Sequence, residues 1–267
     1  MKRQLLGVAA FMLALSAHAQ DNPLWMRYCA ISPDGTSIAF TYKGDIYTVP
    51  VNGGKAAQIT TNAAHDTHPV WSPDGKQIAF ASDRMGSMDI FVVDREGGIP
   101  KRLTTHSGNE TPVAFKDADH ILFLANVMPS AEDAQFPSGQ FQQVYEVSTT
   151  GDRPVMFSSM PMEDISINKT GNALLYHDKK GYEDPWRKHH TSSITRDIWL
   201  CSLDGKRSYR KLTSFNGEDR TPVWASDGKS FYYLSEEKGS FNVFKRALDG
   251  TSSTQLTHHT STASAQN

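Results

Sequence analysis

Apolar residues along this chain fall in short runs broken by turns rich in glycine, proline and aspartate, and no stretch beyond residue 20 keeps the 3.6-residue period of a helix. The pattern predicts strands throughout. It also recurs: an acidic or amide residue, a β-branched residue and an aromatic stand together at Asp45-Ile46-Tyr47, Asp89-Ile90-Phe91, Gln143-Val144-Tyr145, Asp197-Ile198-Trp199 and Asn242-Val243-Phe244. Their first positions are 44, 54, 54 and 45 residues apart, close to the roughly 40–50 residues of one propeller blade.

Two further elements keep step. Upstream of the triplet lie a strand, a turn and a second strand: Cys29-Ala30-Ile31, Ser32-Pro33-Asp34-Gly35, Ile38-Ala39-Phe40 in the first copy, and Pro69-Val70-Trp71, Ser72-Pro73-Asp74-Gly75, Ile78-Ala79-Phe80 in the second. The fifth copy reads Pro222-Val223-Trp224, Ser226-Asp227-Gly228, Phe231-Tyr232-Tyr233. Proline pre-sets the first corner of such a turn, serine holds it through its hydroxyl, and glycine accepts the exit geometry. Copies three and four degrade the turn to Lys116-Asp117-Ala118-Asp119 and Asn168-Lys169-Thr170-Gly171 but keep the following apolar strands. Downstream, Gln58-Ile59-Thr60, Arg102-Leu103-Thr104, Lys211-Leu212-Thr213 and Gln255-Leu256-Thr257 predict an outer strand.

Four strands per copy give an all-β fold, a β-propeller of four-stranded blades, with a β-sandwich as the competing arrangement. The five copies span about residues 24–66, 67–110, 111–164, 165–219 and 220–260, and a polar tail follows at 261–267. A single sheet cannot cover both its faces, so blades stack and their aromatic positions fill the gaps. Trp71, Phe80, Phe91, Trp199, Trp224 and Tyr233 are therefore read as scaffold.

Residues 1–19 have the form of a signal peptide: Lys2 and Arg3, an apolar stretch from Leu5 to Leu15, and Ala17-His18-Ala19 before Gln20. The apolar stretch falls short of the roughly 20 residues that span a bilayer. Export is expected, to the periplasm in a Gram-negative source, with no membrane insertion after cleavage. The sequons Asn109-Glu110-Thr111 and Asn168-Lys169-Thr170 would matter only in a eukaryotic secretory route. A formal charge of −2 gives no global attraction to nucleic acid or anionic lipid. Cys29 and Cys201, the only cysteines, sit in apolar strand-like settings and are read as two buried thiols in preference to a disulfide.

No Gly-x-Ser-x-Gly elbow, His-Glu-x-x-His helix, Cys-x-x-Cys pair or phosphate-binding Gly-Lys loop is present. No catalytic residue, metal ligand or cofactor is assigned. Neighbours in a strand face opposite ways, so His189-His190 and His258-His259 are poor metal pairs. His65 and His68 flank Asp66 ahead of a strand, where they would converge on a channel mouth or merely cap a turn. Asp45, Asp89 and Asp197 repeat with the blades, which points to a structural hydrogen bond and away from a catalytic pair. The insertions Asn126 to Gln140 and Lys179 to Arg196 exceed what a blade needs, and extra loop length on a rigid scaffold is where binding sits. The second concentrates Trp186, Arg187, Lys188, His189 and His190, a candidate site for a peptide carboxylate or an acidic partner, or else a solvated loop.

Ser-Pro-Asp-Gly together with Ser82-Asp83-Arg84-Met85-Gly86-Ser87-Met88-Asp89-Ile90-Phe91 resembles the repeats of the TolB and tricorn-type propellers. The segment from Glu183 to Trp199, followed by Glu218-Asp219-Arg220-Thr221-Pro222-Val223-Trp224, is similar to exported tricorn-like serine peptidases. That resemblance implies a six-bladed first propeller, of which five blades make an incomplete ring. It also implies a non-catalytic role, gating or positioning peptides for proteolysis by a peptidase domain that lies, with a PDZ domain, outside these residues. The implied partners are those domains and peptide substrates, and oligomerisation would run through the parent protein. The alternative is a stand-alone TolB-like protein-binding module of the cell envelope.

Overall fold

A computed structural model of the chain describes residues 25–126, 141–181 and 194–260. It contains twenty strands and, among the described residues, no helix. The first blade comprises β1 (Arg27–Ile31), β2 (Ser37–Tyr42), β3 (Asp45–Pro50) and β4 (Ala57–Gln58). The second has β5 (Asp66–Trp71), β6 (Gln77–Ser82), β7 (Asp89–Asp94) and β8 (Lys101–Arg102). The third has β9 (Glu110–Phe115), β10 (His120–Ala125), β11 (Gln143–Ser148) and β12 (Val155–Ser158). The fourth has β13 (Met162–Ile167), β14 (Ala173–Asp178), β15 (Ile198–Ser202) and β16 (Tyr209–Lys211). The fifth has β17 (Asp219–Trp224), β18 (Ser230–Ser235), β19 (Asn242–Ala247) and β20 (Ser253–Gln255). Each blade is an antiparallel four-stranded sheet in sequential order, and the five stand side by side as a five-bladed β-propeller.

The repeated turns work as their chemistry demands. Ser32 Oγ donates to Asp34 Oδ1 (2.5 Å) and accepts the Ser37 N–H (3.0 Å), while Ser72 repeats both bonds with Asp74 and Gln77 at 2.7 and 2.9 Å. Gly35 and Gly75 take the left-handed exit, φ 70° and 69°. In the degraded fourth copy Asn168 replaces serine, its Oδ1 accepting the N–H groups of Asn172 and Ala173. One amide side chain thus substitutes for the Ser-Asp pair.

The outer strands are only two to four residues long. What fixes four of the five is the threonine just beyond. Thr60, Thr104, Thr213 and Thr257 each accept through Oγ1 the N–H of the residue after the triplet's first position: Ile46, Ile90, Ile198 and Val243, at 2.9–3.0 Å. A side-chain oxygen there replaces a ladder bond that the shortened strand cannot supply.

Four cores lie in the four gaps between consecutive blades. Ala39 and Ile46 meet Ile78, Phe80 and Phe91; Ile90 and Val92 meet Phe115, Phe123 and Tyr145; Leu122, Leu124 and Val144 meet Leu174 and Tyr176; Leu175 and Ile198 meet Phe231, Tyr233 and Phe244. No core among the described residues joins the fifth blade to the first. The faces that would form it are apolar and open: Ile31, Ile38, Tyr47 and Val49 on the first blade, Val223, Tyr232, Leu234 and Val243 on the fifth.

Trp71, Phe80, Phe91 and Tyr233 are buried as scaffold, whereas Trp199 and Trp224 are half-buried. Both cysteines are free thiols. Cys201 is buried, but Cys29 is exposed, which corrects the reading of two buried thiols. The reason is its strand: β1 belongs to the first blade's open side, and all but one of its residues are exposed.

Candidate functional site

The first strand of each blade packs on the first strand of the next, β1 on β5, β5 on β9, β9 on β13 and β13 on β17, so these strands line the central axis. Each is irregular near its start. The ladder with the second strand shifts register between Arg27 and Ala30, Thr67 and Val70, Glu163 and Ser166, and Arg220 and Val223. At each bulge one non-glycine residue takes the left-handed conformation: Tyr28 (φ 54°), His68 (53°), Asp164 (49°) and Thr221 (56°). The third blade has its own register shift, opposite Leu122 and Phe123, without a left-handed residue. There Pro112 stands at the bulge with its φ locked negative.

Such a conformation costs roughly 1–2 kcal/mol per L-residue and is worst for a β-branched side chain such as that of Thr221. Four of them at one level of the channel is a concentration of strain of the kind found at binding sites. Surrounding bonds hold it in place. The His68 ring lies 3.6 Å, centroid to centroid, from that of Tyr28, and its Nδ1 contacts Thr67 Oγ1 at 3.1 Å. Burial pushes the His68 imidazole down to about 4, with Asp164 opposing, so it is neutral at pH 7.

On the other side of the mouth, Thr221 Oγ1 donates to Asp164 Oδ2 (2.7 Å), and the Thr221 N–H donates to His177 Nδ1 (3.3 Å). That bond places the His177 proton on Nε2, which donates to Glu163 Oε2 at 3.2 Å. Burial would raise the Glu163 carboxyl, but hydrogen bonds from His177 and Lys179 outweigh it and hold it at about 2. The mouth therefore presents a neutral aromatic pair on one side and a hydrogen-bonded acid on the other. The Thr67–His68 contact is not a nucleophile and its base: it joins neighbouring residues, the threonine is buried, and the imidazole is too weak a base at pH 7.

The repeated acids stay in their own blades. Asp45 accepts from Gln58 (2.9 Å) and Thr60, Asp89 pairs with Arg102 (2.8 Å), and Asp197 pairs with Lys211 (2.8 Å) and Lys180. The bonds to Gln58, Arg102 and Lys211 join third and fourth strands, and the one to Lys180 joins the end of the second strand to the start of the third. Asp66, between the two histidines, is buried against the Arg84 guanidinium at 2.9 Å, so His65, Asp66 and His68 do not converge. Among the described residues no three acidic, histidine or cysteine side chains are grouped to hold a metal.

The first strand runs away from the mouth and the second returns to it, so every turn from second to third strand lies on the mouth face. Both long insertions occupy such turns, between β10 and β11 and between β14 and β15. The candidate residues Trp186, Arg187, Lys188, His189 and His190 lie outside the described residues. The bulge ring escaped the sequence reading. Its only sign there is the proline after His68 and after Thr221, a residue that cannot donate to the ladder.

Comparison with known proteins agrees with this architecture. Residues 23–266 match the family model described as tricorn protease N-terminal beta propeller domain. Tricorn protease homolog 1 of Streptomyces coelicolor is 25% identical over 238 residues, covering 89% of this chain and 21% of that protein. The crystal structure of the tricorn protease superposes with a TM-score of 0.68 at 19% identity, over 89% of this chain and 23% of that one. A putative TolB from Agrobacterium tumefaciens superposes with a TM-score of 0.67 at 14% identity, over 86% and 80%. This chain thus spans about a fifth of the length of the tricorn homologue.

Proposed function

This chain belongs to the family of tricorn protease N-terminal β-propeller domains, and from that membership we propose that it is the non-catalytic propeller of a larger, exported serine peptidase, gating or positioning peptides for cleavage by a domain outside these residues. The observation that carries the reading is the channel mouth. Four strained bulge residues from four blades converge there, and the turns that carry both insertions lie on the same face. A rigid rim at the mouth of a channel suits an extended peptide, which brings many backbone donors and acceptors and few fixed side chains. The peptidase and PDZ domains are its partners within the parent chain, and nucleic acid is not.

The test is a titration of a fluorescent, unstructured peptide library with the purified chain, read by anisotropy and, on the same samples, by mass spectrometry for cleavage. Saturable binding without cleavage, weakened by Asp164→Ala, supports the reading. Cleavage by the chain alone, or absence of binding, overturns it. A stand-alone TolB-like module is the second reading, favoured by a fold match that covers 80% of the Agrobacterium chain. Sequencing the locus past codon 267 separates the two: further blades and a peptidase domain support the first, a stop codon the second.

A further inference from the structure

Beside the first blade the structure holds a cavity of about 450 Å³, within the roughly 300–1,000 Å³ of ligand pockets. We infer that it is a binding site for a small carboxylate ligand with a flat apolar body. The site shares the mouth face and Tyr28 with the peptide-gating reading and otherwise uses different residues.

Three features point the same way. The first is charge. Arg27, Lys43 and His65 line the cavity and, among the described residues, no acidic one does. Neither Arg27 nor Lys43 has a carboxylate partner among the described residues; each lies over an aromatic ring, Arg27 at 5.2 Å from that of Trp25 and Lys43 at 5.3 Å from that of Tyr42. The carboxylates that neighbour this wall are turned to other groups: Asp45 to Gln58 and Thr60, Asp66 to Arg84, and Asp83 to the His65 N–H. The cations are therefore left for an anion from outside.

The second is an unmet hydrogen bond. Thr41 lines the cavity, is 4% exposed, and its Oγ1 has no partner among the described residues. Buried hydroxyls are nearly always satisfied, and one left open beside unpaired cations is a donor waiting for a ligand oxygen. The third is backbone strain. Of the six non-glycine residues with left-handed φ among the described residues, three line this cavity: Trp25 (76°), Tyr28 (54°) and Lys43 (51°). Lys43 is the first corner of the two-residue turn between β2 and β3, a position where asparagine, aspartate or glycine is the low-strain choice. A lysine is held there at a conformational cost, and what it gains is a cation on the cavity wall.

Two cations and a hydroxyl match the oxygens of a carboxylate. The exposed rings of Trp25 and Tyr28 match a flat apolar body, which a bare inorganic anion lacks. Calorimetric titration of the whole chain with indole-3-propionate at low salt tests the assignment. Single-site saturation is expected, with indole-3-propionamide about tenfold weaker, the scale of one lost charge-assisted hydrogen bond. Lys43→Asn suits the turn and so keeps the fold; it should weaken the acid severalfold and leave the amide unchanged. Thr41→Val should weaken the acid without lowering the melting temperature. Equal affinity for acid and amide, or full affinity in both variants, overturns the site. Competition by inorganic phosphate at the same affinity as the indole acid overturns the flat-bodied ligand.

Discussion

Glu110 begins β9 beneath the Thr104 hydroxyl, which donates to its carboxylate while accepting the Ile90 N–H. The side chain is 2% exposed, and burial pushes its carboxyl up to about 7. Between about 4.5 and 7 the folded state binds more protons than the unfolded one, so this residue's contribution to stability falls as pH rises through that window. Asp219, raised to about 6 by burial, has the same sign. His68, lowered to about 4, has the opposite one and loses stability as pH falls below 6.5. Glu110→Gln isolates the first effect. Its melting temperature should equal the parent's near pH 4.5 and exceed it by on the order of 5 °C at pH 7.5; a gap that stays flat with pH would refute the assignment. Thr104→Val strands the Ile90 N–H and should cost about 2–3 kcal/mol in urea unfolding. Thr257→Val at the half-buried equivalent in the fifth blade should cost less than half of that.

Between elements, blades are fastened by tryptophans at the ends of first strands. Trp71 donates its indole N–H to the Ala30 carbonyl of the preceding blade at 3.0 Å, and Trp224 does the same to Ser166 at 2.9 Å. Both also fill the gap beside them. Trp71→Phe keeps most of the apolar body and removes the bond, so a loss of about 1–2 kcal/mol is expected. Chemical denaturation measures it, and an unchanged midpoint would mean that packing alone joins the blades. Trp224 is half-buried in the gap between the fourth and fifth blades. Trp199 serves differently, donating to Asp178 within its own blade.

For the whole molecule, the decisive feature is the pair of uncovered sheet faces. In the third blade the positions of Leu122, Leu124 and Val144 are buried by the fourth; in the fifth blade Tyr232, Leu234 and Val243 occupy the same register and remain half-exposed. Val223 beside them is 51% exposed, as is Ile31, at 63%, on the first blade. Contiguous apolar surface of this kind drives association. The chain should therefore self-associate with rising concentration in sedimentation velocity. Val223→Lys with Tyr232→Lys should disperse it while leaving the melting temperature nearly unchanged. A parent that stays monomeric throughout would show that these faces do not adhere.

The sequence alone determined the local rules of this protein. Five copies of a triplet of an acid or amide, a β-branched residue and an aromatic, tight polar turns and, in four copies, a threonine after the outer strand specify four-stranded sheets, because every one of those choices acts within a few residues or across one ladder. It also pointed to Asp45, Asp89 and Asp197 as structural, since a bond repeated in three blades answers a need that those blades share. Only the tertiary structure decided what several blades build together. The left-handed ring of Tyr28, His68, Asp164 and Thr221 exists because four bulges reach one level of one channel, and no single repeat encodes that level. The pocket of Arg27, Thr41, Lys43 and His65 draws on both ends of the first blade's segment and on a turn between them, so its residues are scattered in sequence. Cys29 is exposed for the same reason that the faces are open: burial in a propeller is conferred by the neighbouring blade, and a strand's own pattern cannot tell whether that neighbour is there.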